Sequence, residues 1–286
     1  MPAVQRDGFS LNYESHGEGD LVVLVMGTGS PGRVWRLHQV PALVAAGHRV
    51  VTYDARGIAT VPGPPPGRDQ GRVPRITVED LVEDLSALIE HLGSGPACVI
   101  GTSLGARVTQ ELALAHPELV VRAVAMAGHA RLDAVRHTLT AGQEALFDDS
   151  VTLPAAYEAA VEAILNLSPA TLRDEQKARD WLDVLEFAAG PMPSGERAQL
   201  AVSSTLGDRR EAYRGIRVPL LVIGFADDVM IPAHLSREVS DVVPGARYVE
   251  VSEAGHFGYL EQPDAVNRLL IEFLSPHSRN PSPMSS

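Results

Sequence analysis

Lysine is all but missing from this chain: Lys177 stands alone against 23 arginines. Arginine codons are GC-rich and lysine codons are not, so the imbalance points to a GC-rich genome and carries no mechanism. Cysteine is as scarce. Cys98 is the only one, which excludes an internal disulfide and a thiolate metal cluster. Long apolar runs are lacking too. Stretches such as Leu21–Met26 are strand-sized, far short of the ~18 residues of a membrane span. Met1–Ser10 has no charged start followed by an apolar run, so no leader is expected and a soluble cytoplasmic protein is the expectation. Excess positive charge is also absent. A net charge of −12 argues against a nucleic-acid partner, which needs a basic footprint. No spacing of His, Cys and carboxylates suggests a metal site.

What remains is an ordinary globular composition, 45% hydrophobic and 21% charged over 286 residues. That length suits one large core, or a core carrying an insertion. Apolar runs predict strands at Leu21–Met26, His48–Tyr53, Ala97–Ile100, Val120–Met126, Pro219–Phe225 and Arg247–Val251. Between them, helical periodicity predicts helices at Val34–Ala46, from a Thr77/Asp80 capping box to Leu92, and at Leu104–Ala115, Ala233–Val243 and Pro263–Leu274. Strand and helix in alternation predict a mostly parallel, doubly wound α/β sheet. The loop from Gly57 to Arg75 is too rich in Pro and Gly for a regular element. Its Arg68, Arg72 and Arg75 read as solvated surface, or as contacts for an acidic substrate.

From His129 to Arg217 the rhythm breaks into helical patterns without a convincing strand. Such an insertion predicts a helical cap over the carboxyl edge of the sheet, or else a second helical layer of core. The expected division is a core of 1–128 and 218–275, a cap of 129–217, and a disordered tail of 276–286.

Gly101-Thr-Ser103-Leu-Gly105 has the form G-x-S-x-G, between a predicted strand and a predicted helix. The glycines permit the sharp turn that lifts Ser103 above the sheet. A serine hydroxyl needs a base and an orienting carboxylate to act as a nucleophile. His256, in Gly255-His256-Phe257 after the last strand, is the preferred base of ten histidines, with His129 the competitor. The carboxylate is expected after Pro219–Phe225, where Asp227 and Asp228 are adjacent. The order Ser, Asp, His fits a nucleophile elbow.

These motifs, with Asp54-Ala-Arg56-Gly57 after the second predicted strand, resemble those of the α/β-hydrolases over about Leu11–Leu274. The resemblance implies the α/β-hydrolase fold, its cap inserted between strands 6 and 7. It favours Asp228, four residues before Pro232, although Asp227 fits an equally common spacing after Gly224. It also implies an oxyanion hole from the N–H groups of Leu104 and Thr28, with Met26-Gly27 where relatives often have His-Gly. The reaction implied is hydrolysis of a small or medium apolar ester or thioester through an acyl-enzyme, with no cofactor and a small-molecule partner. Lyase, elimination, cyclisation and perhydrolase or haloperoxidase-like use of the same residues are the alternatives, and a ligand receptor a more distant one. A rival pattern, Gly27-Thr-Gly29-Ser-Pro-Gly32 with Asp54 22 residues on, matches a dinucleotide fingerprint. It would leave Ser103, Asp228 and His256 as coincidence. Trp35, Trp181 and Phe187 are expected in pocket or core, and Cys98 in the core.

Overall fold

The computed structural model describes residues 2–6, 9–58, 75–205 and 207–275. Its centre is an eight-stranded sheet in the order β1-β2-β4-β3-β5-β6-β7-β8. The strands are β1 (Ala3–Arg6), β2 (Phe9–His16), β3 (Asp20–Val25), β4 (His48–Tyr53), β5 (Ala97–Thr102), β6 (Val120–Met126), β7 (Leu220–Phe225) and β8 (Arg247–Val251). The first two pair antiparallel, β2 joins β4 antiparallel, and all later pairings are parallel. The six expected strands are present within one or two residues. The β1–β2 hairpin is an addition. Its signals were the alternation of Phe9, Leu11 and Tyr13 and the Asp7-Gly8 dipeptide in the sequence, a pair that favours short hairpin connections.

Successive residues of the central strands feed two cores. Val23, Val25 and Val99 face one side, with α2 (Val78–Leu92) and α3 (Leu104–Ala115). Val22, Leu24 and Ile100 face the other, with α1 (Gln39–Ala45) and α12 (Pro263–Leu274). A strand buried on both faces has no reason to alternate polar and apolar residues, which is why these read as continuous runs. Cys98 belongs to the second core, where burial pushes its thiol up to about 11. Thr77 caps α2 as anticipated: its hydroxyl accepts from Asp80 N–H at 3.1 Å, and its own N–H donates to the Asp80 carboxylate at 2.9 Å.

The helix expected over Val34–Ala46 is instead two pieces, a 3-10 turn at Gly32–Leu37 and α1, broken at His38. Pro41 explains the break. Proline has no N–H to give a preceding turn and is tolerated only within the first turn of a helix. Starting the helix at Gln39 places it there.

Between β6 and β7 run α4 (Ala134–Asp148), α5 (Ala155–Asn166), α6 (Pro169–Arg173), α7 (Glu175–Ala188), α8 (Ser194–Thr205) and α9 (Arg210–Tyr213). No strand interrupts them among the described residues. Lys177 sits on the exposed face of α7. The segment is not uniformly peripheral, because Ala198, Val202, Tyr213 and Ile216 are buried in the first core. Short α10 and α11 (Ala233–Val242 and Gly258–Glu261) follow β7 and β8. The stretch 59–74, which holds most of the Pro- and Gly-rich loop with Arg68 and Arg72, lies outside the described residues, as does the tail of 276–286. Arg75 is described and exposed.

Candidate active site

The chain turns from β5 into α3 within a single residue, Ser103, at φ 55° and ψ −120°. A non-glycine residue rarely adopts such a positive φ, and the surroundings enforce it here. A Cβ on Gly101 would lie 2.1 Å from the Gly105 carbonyl oxygen, and one on Gly105 would lie 2.2 Å from that of Val25. Both glycines are therefore required by close backbone approach. Leu104 opens α3, so its N–H is among those with no acceptor inside the helix. Gly27 closes in beside the serine: a Cβ there would meet Ser103 Cβ at 3.1 Å.

His256 follows β8 and brings Nε2 to 3.1 Å from Ser103 Oγ. Its Nδ1 is 2.8 Å from Asp228 Oδ2. With Nδ1–H donating to the carboxylate, Nε2 is left as an acceptor facing the serine hydroxyl. Of the two adjacent aspartates, Asp228 is the one that meets the imidazole. Its second oxygen accepts N–H groups of Met230 and Ile231, both at 2.8 Å. Asp227 is half-buried and makes a backbone bond to Ala254. His129 lies elsewhere. It is buried against Arg107, whose guanidinium donates to its carbonyl at 2.8 Å and lies 3.2 Å from its Nδ1. Burial, reinforced by the nearby arginines, holds its imidazole well below the usual histidine range.

Ser103 and His256 open into a cavity of about 630 Å³, which Thr28 and Met26 also line. Its far wall comes from the inserted helices: Arg136 on α4, Glu158 and Glu162 on α5, Leu185 and Phe187 on α7, and Glu196 on α8. Phe187 is almost fully exposed at the rim. Trp35 is instead core, packed on Tyr259 at 4.9 Å, and Trp181 stacks on Phe257 beside the histidine at 5.9 Å.

The charged wall residues went unmarked in the sequence. Glu196 covers Gly29 so closely that a Cβ on that glycine would lie 2.5 Å from its carboxyl carbon. Burial, with the Glu162 and Glu158 charges, pushes the Glu196 carboxyl up to about 7. Burial also raises the Glu162 carboxyl, which accepts from Asn166 Nδ2 at 2.8 Å. No local pattern around Glu196 announces this position.

The rival glycine fingerprint is put to a different use. Asp54 accepts the Gly32 N–H at 2.8 Å, and Gln199 Oε1 accepts that of Gly29 at 2.9 Å. Glu196 packs directly over Gly29. Arg56 of the same Asp-x-Arg-Gly turn pairs with buried Asp84 at 2.8 and 3.0 Å. Among the described residues no group of three His, Cys, Asp or Glu side chains could hold a metal ion, and no helix is long and apolar enough to cross a membrane.

Comparison with known proteins agrees with this architecture. A protein of Mycobacterium tuberculosis named as a non-heme bromoperoxidase, BpoC, is 41% identical over 93% of this chain and 98% of its own. Its crystal structure superposes with a TM-score of 0.85, covering 93% of this chain and 95% of that one. A protein of Azorhizobium caulinodans named as a carbamate hydrolase, RutD, is 30% identical over 96% of this chain and 98% of its own. The pattern of the α/β hydrolase family matches residues 22–269. The chain belongs to the α/β hydrolase family.

Proposed function

We propose that this protein is a serine hydrolase that cleaves a small or medium carboxylic ester or thioester through an acyl-enzyme. The observation that carries the reading is the continuous path from Asp228 through His256 to Ser103, at 2.8 and 3.1 Å. Ser103 Oγ attacks the substrate carbonyl as His256 Nε2 takes its proton. Asp228 holds the imidazole in the required tautomer and stabilises its cation. The N–H groups of Leu104 and Thr28 receive the oxyanion, an interaction worth roughly 3–4 kcal/mol per well-placed donor. His256 returns the proton to the leaving group. It then activates the water that releases the acid and restores the serine.

Residues 129–217 act in this reading as a cap on the core formed by 1–128 and 218–275. Arg136, Glu162, Phe187 and Glu196 of the cavity wall all come from that segment. A lone buried cysteine fits a reducing compartment, and a cytoplasmic protein acting on a small molecule completes the reading.

A panel of p-nitrophenyl esters of rising acyl length, run on the wild type and Ser103→Ala, tests the mechanism. Turnover in the wild type and a loss of about 10⁴-fold or more in the variant are expected. Full activity in Ser103→Ala would end it.

The kinship with the Mycobacterium tuberculosis protein favours one second reading, perhydrolysis. Hydrogen peroxide in place of water would attack the acyl-enzyme, break the acyl–Ser103 bond and leave as a peracid that oxidises bromide outside the site. Peroxide-dependent bromination of phenol red, requiring both a carboxylic acid and Ser103, distinguishes it.

A further inference from the structure

Arg136 is the cation of the cavity wall, and among the described residues it has no ion-pair partner, although the charges of Asp228, Glu162 and Asp133 act on it from further off. Elsewhere half-buried arginines meet carboxylates squarely. Arg131 does so with Glu238, Arg197 with Asp148, and Arg209 with Glu111. Among the described residues no carboxylate lies within ion-pair distance of the Arg136 guanidinium. Among the described residues its side chain donates one hydrogen bond, from Nη1 to the sulfur of Met230 at 3.7 Å, and its buried Nε has no partner. The nearby carboxylates are engaged. Asp133 accepts the backbone N–H of Arg136 at 2.7 Å as the cap of α4. Asp228 accepts the N–H groups of Met230 and Ile231 and faces the His256 imidazole. Glu162 is bonded to Asn166.

A largely buried guanidinium without an ion-pair partner is costly, and burial is the main influence on Arg136, opposed by the charges of Asp228, Glu162 and Asp133. The cavity also contains Glu158, Glu162 and Glu196, which at first sight would repel an anion. The two kinds of charge differ in kind, however. A buried carboxyl sheds its charge by taking up a proton, and burial drives Glu162 and Glu196 in that direction. A guanidinium has no such recourse, since it stays protonated at any workable pH. Arg136 therefore keeps its charge whatever the protonation of the carboxyls around it, and its buried Nε stays unpartnered. It stands in the cavity that Ser103 and His256 also line, next to Met230 on the loop that carries Asp228.

We propose that Arg136 receives a carboxylate carried by the substrate, so that this enzyme prefers acyl groups ending in an acid over apolar ones of the same length. Arg136 is then a specificity-determining residue, its planar fork matched to a carboxylate. The proposal rests on the hydrolytic reading for its kinetic consequence, and on the cavity alone for its binding consequence.

The test compares two p-nitrophenyl esters of nearly equal size, the glutaric acid monoester and the valerate, on the wild type, Arg136→Gln and Arg136→Lys. The wild type should favour the glutarate ester. Arg136→Gln should lose about 10- to 100-fold in kcat/KM on it, mostly through KM, and distinctly less on valerate. Arg136→Lys, which keeps the charge without the fork, should fall between. Equal losses on both esters, or none on the glutarate ester, would overturn the assignment. A thermal-shift titration with free glutarate and free valerate reads binding without turnover. If the wild type hydrolyses neither ester, stabilisation by glutarate that Arg136→Gln abolishes upholds the carboxylate site and removes ester hydrolysis. Absence of that stabilisation in the wild type overturns the site.

Discussion

Glu261 accepts the backbone N–H of Gly255, 2.7 Å from its Oε2, immediately before the histidine that faces Ser103. Its other oxygen accepts the N–H and hydroxyl of Ser168, both at 2.8 Å, where the inserted segment passes from α5 to α6. One carboxylate thus ties the histidine loop to the inserted helices, several of which line the cavity. Gly255 fits there because a Cβ would lie 2.6 Å from the Asn166 carbonyl oxygen, and that carbonyl accepts the Phe257 N–H at 2.9 Å.

Glu261→Ala should leave the Gly255 and Ser168 N–H groups without acceptors, at a cost of about 2–4 kcal/mol in unfolding free energy. Ester turnover should fall more than the loss of folded protein explains, because His256 loses its brace. Urea unfolding and kcat measured on the same samples separate the two effects.

The paired aspartates should differ sharply. Asp228→Asn should reduce kcat by about 10³- to 10⁴-fold, since an amide cannot hold the imidazole in the same tautomer or stabilise its cation. Asp227→Asn, which leaves the His256 contact intact, should stay within about threefold of wild type. Single-turnover ester kinetics on both variants checks the assignment.

Glu196 should make stability depend on pH in an unusual direction. Its carboxyl is raised from 4.5 to about 7 by burial and by its glutamate neighbours, so the folded protein holds this proton more tightly than the unfolded chain does. The contribution is fully present below pH 4.5 and is lost as pH rises toward 7. Glu196→Gln has no proton to lose. Its stability relative to wild type should therefore climb across that window, by about 1–3 kcal/mol. Paired urea titrations at pH 4.5, 6 and 8 provide the measurement.

Gly101→Ala should destabilise the fold by about 3 kcal/mol, since the new methyl meets the Gly105 backbone and the Thr109 side chain rather than anything that can move aside. The surviving folded fraction should react more slowly with a fluorophosphonate, because Ser103 cannot keep its backbone angles. Labelling rate normalised to folded protein checks this.

The parallel strands were legible because burial on both faces turns them into unbroken apolar runs, and His48–Tyr53 was read to the residue. Ser103 and His256 stood out through their glycine neighbours, which mark close backbone approach. The spacing of Asp228 before Pro232 favours it over Asp227, whereas the turn by which its carboxylate collects the Met230 and Ile231 N–H groups is visible only in the fold. Pro41 carried the break at His38, but helical periodicity on either side outweighed it in the sequence. Arg136, Glu196 and Glu261 were illegible for a different reason. Their neighbours come from remote parts of the chain, and an isolated Arg or Glu in a helical pattern looks like any solvated face.

The solitary lysine has a practical consequence. Lys177 projects from α7, the helix whose far end brings Leu185 and Phe187 to the cavity. Apart from the α-amino group, an amine-reactive dye or surface linker therefore finds one address, on the exposed face of α7. A fluorophore coupled there would sit on a helix that lines the cavity, and immobilisation by the same chemistry would tether the protein through that helix.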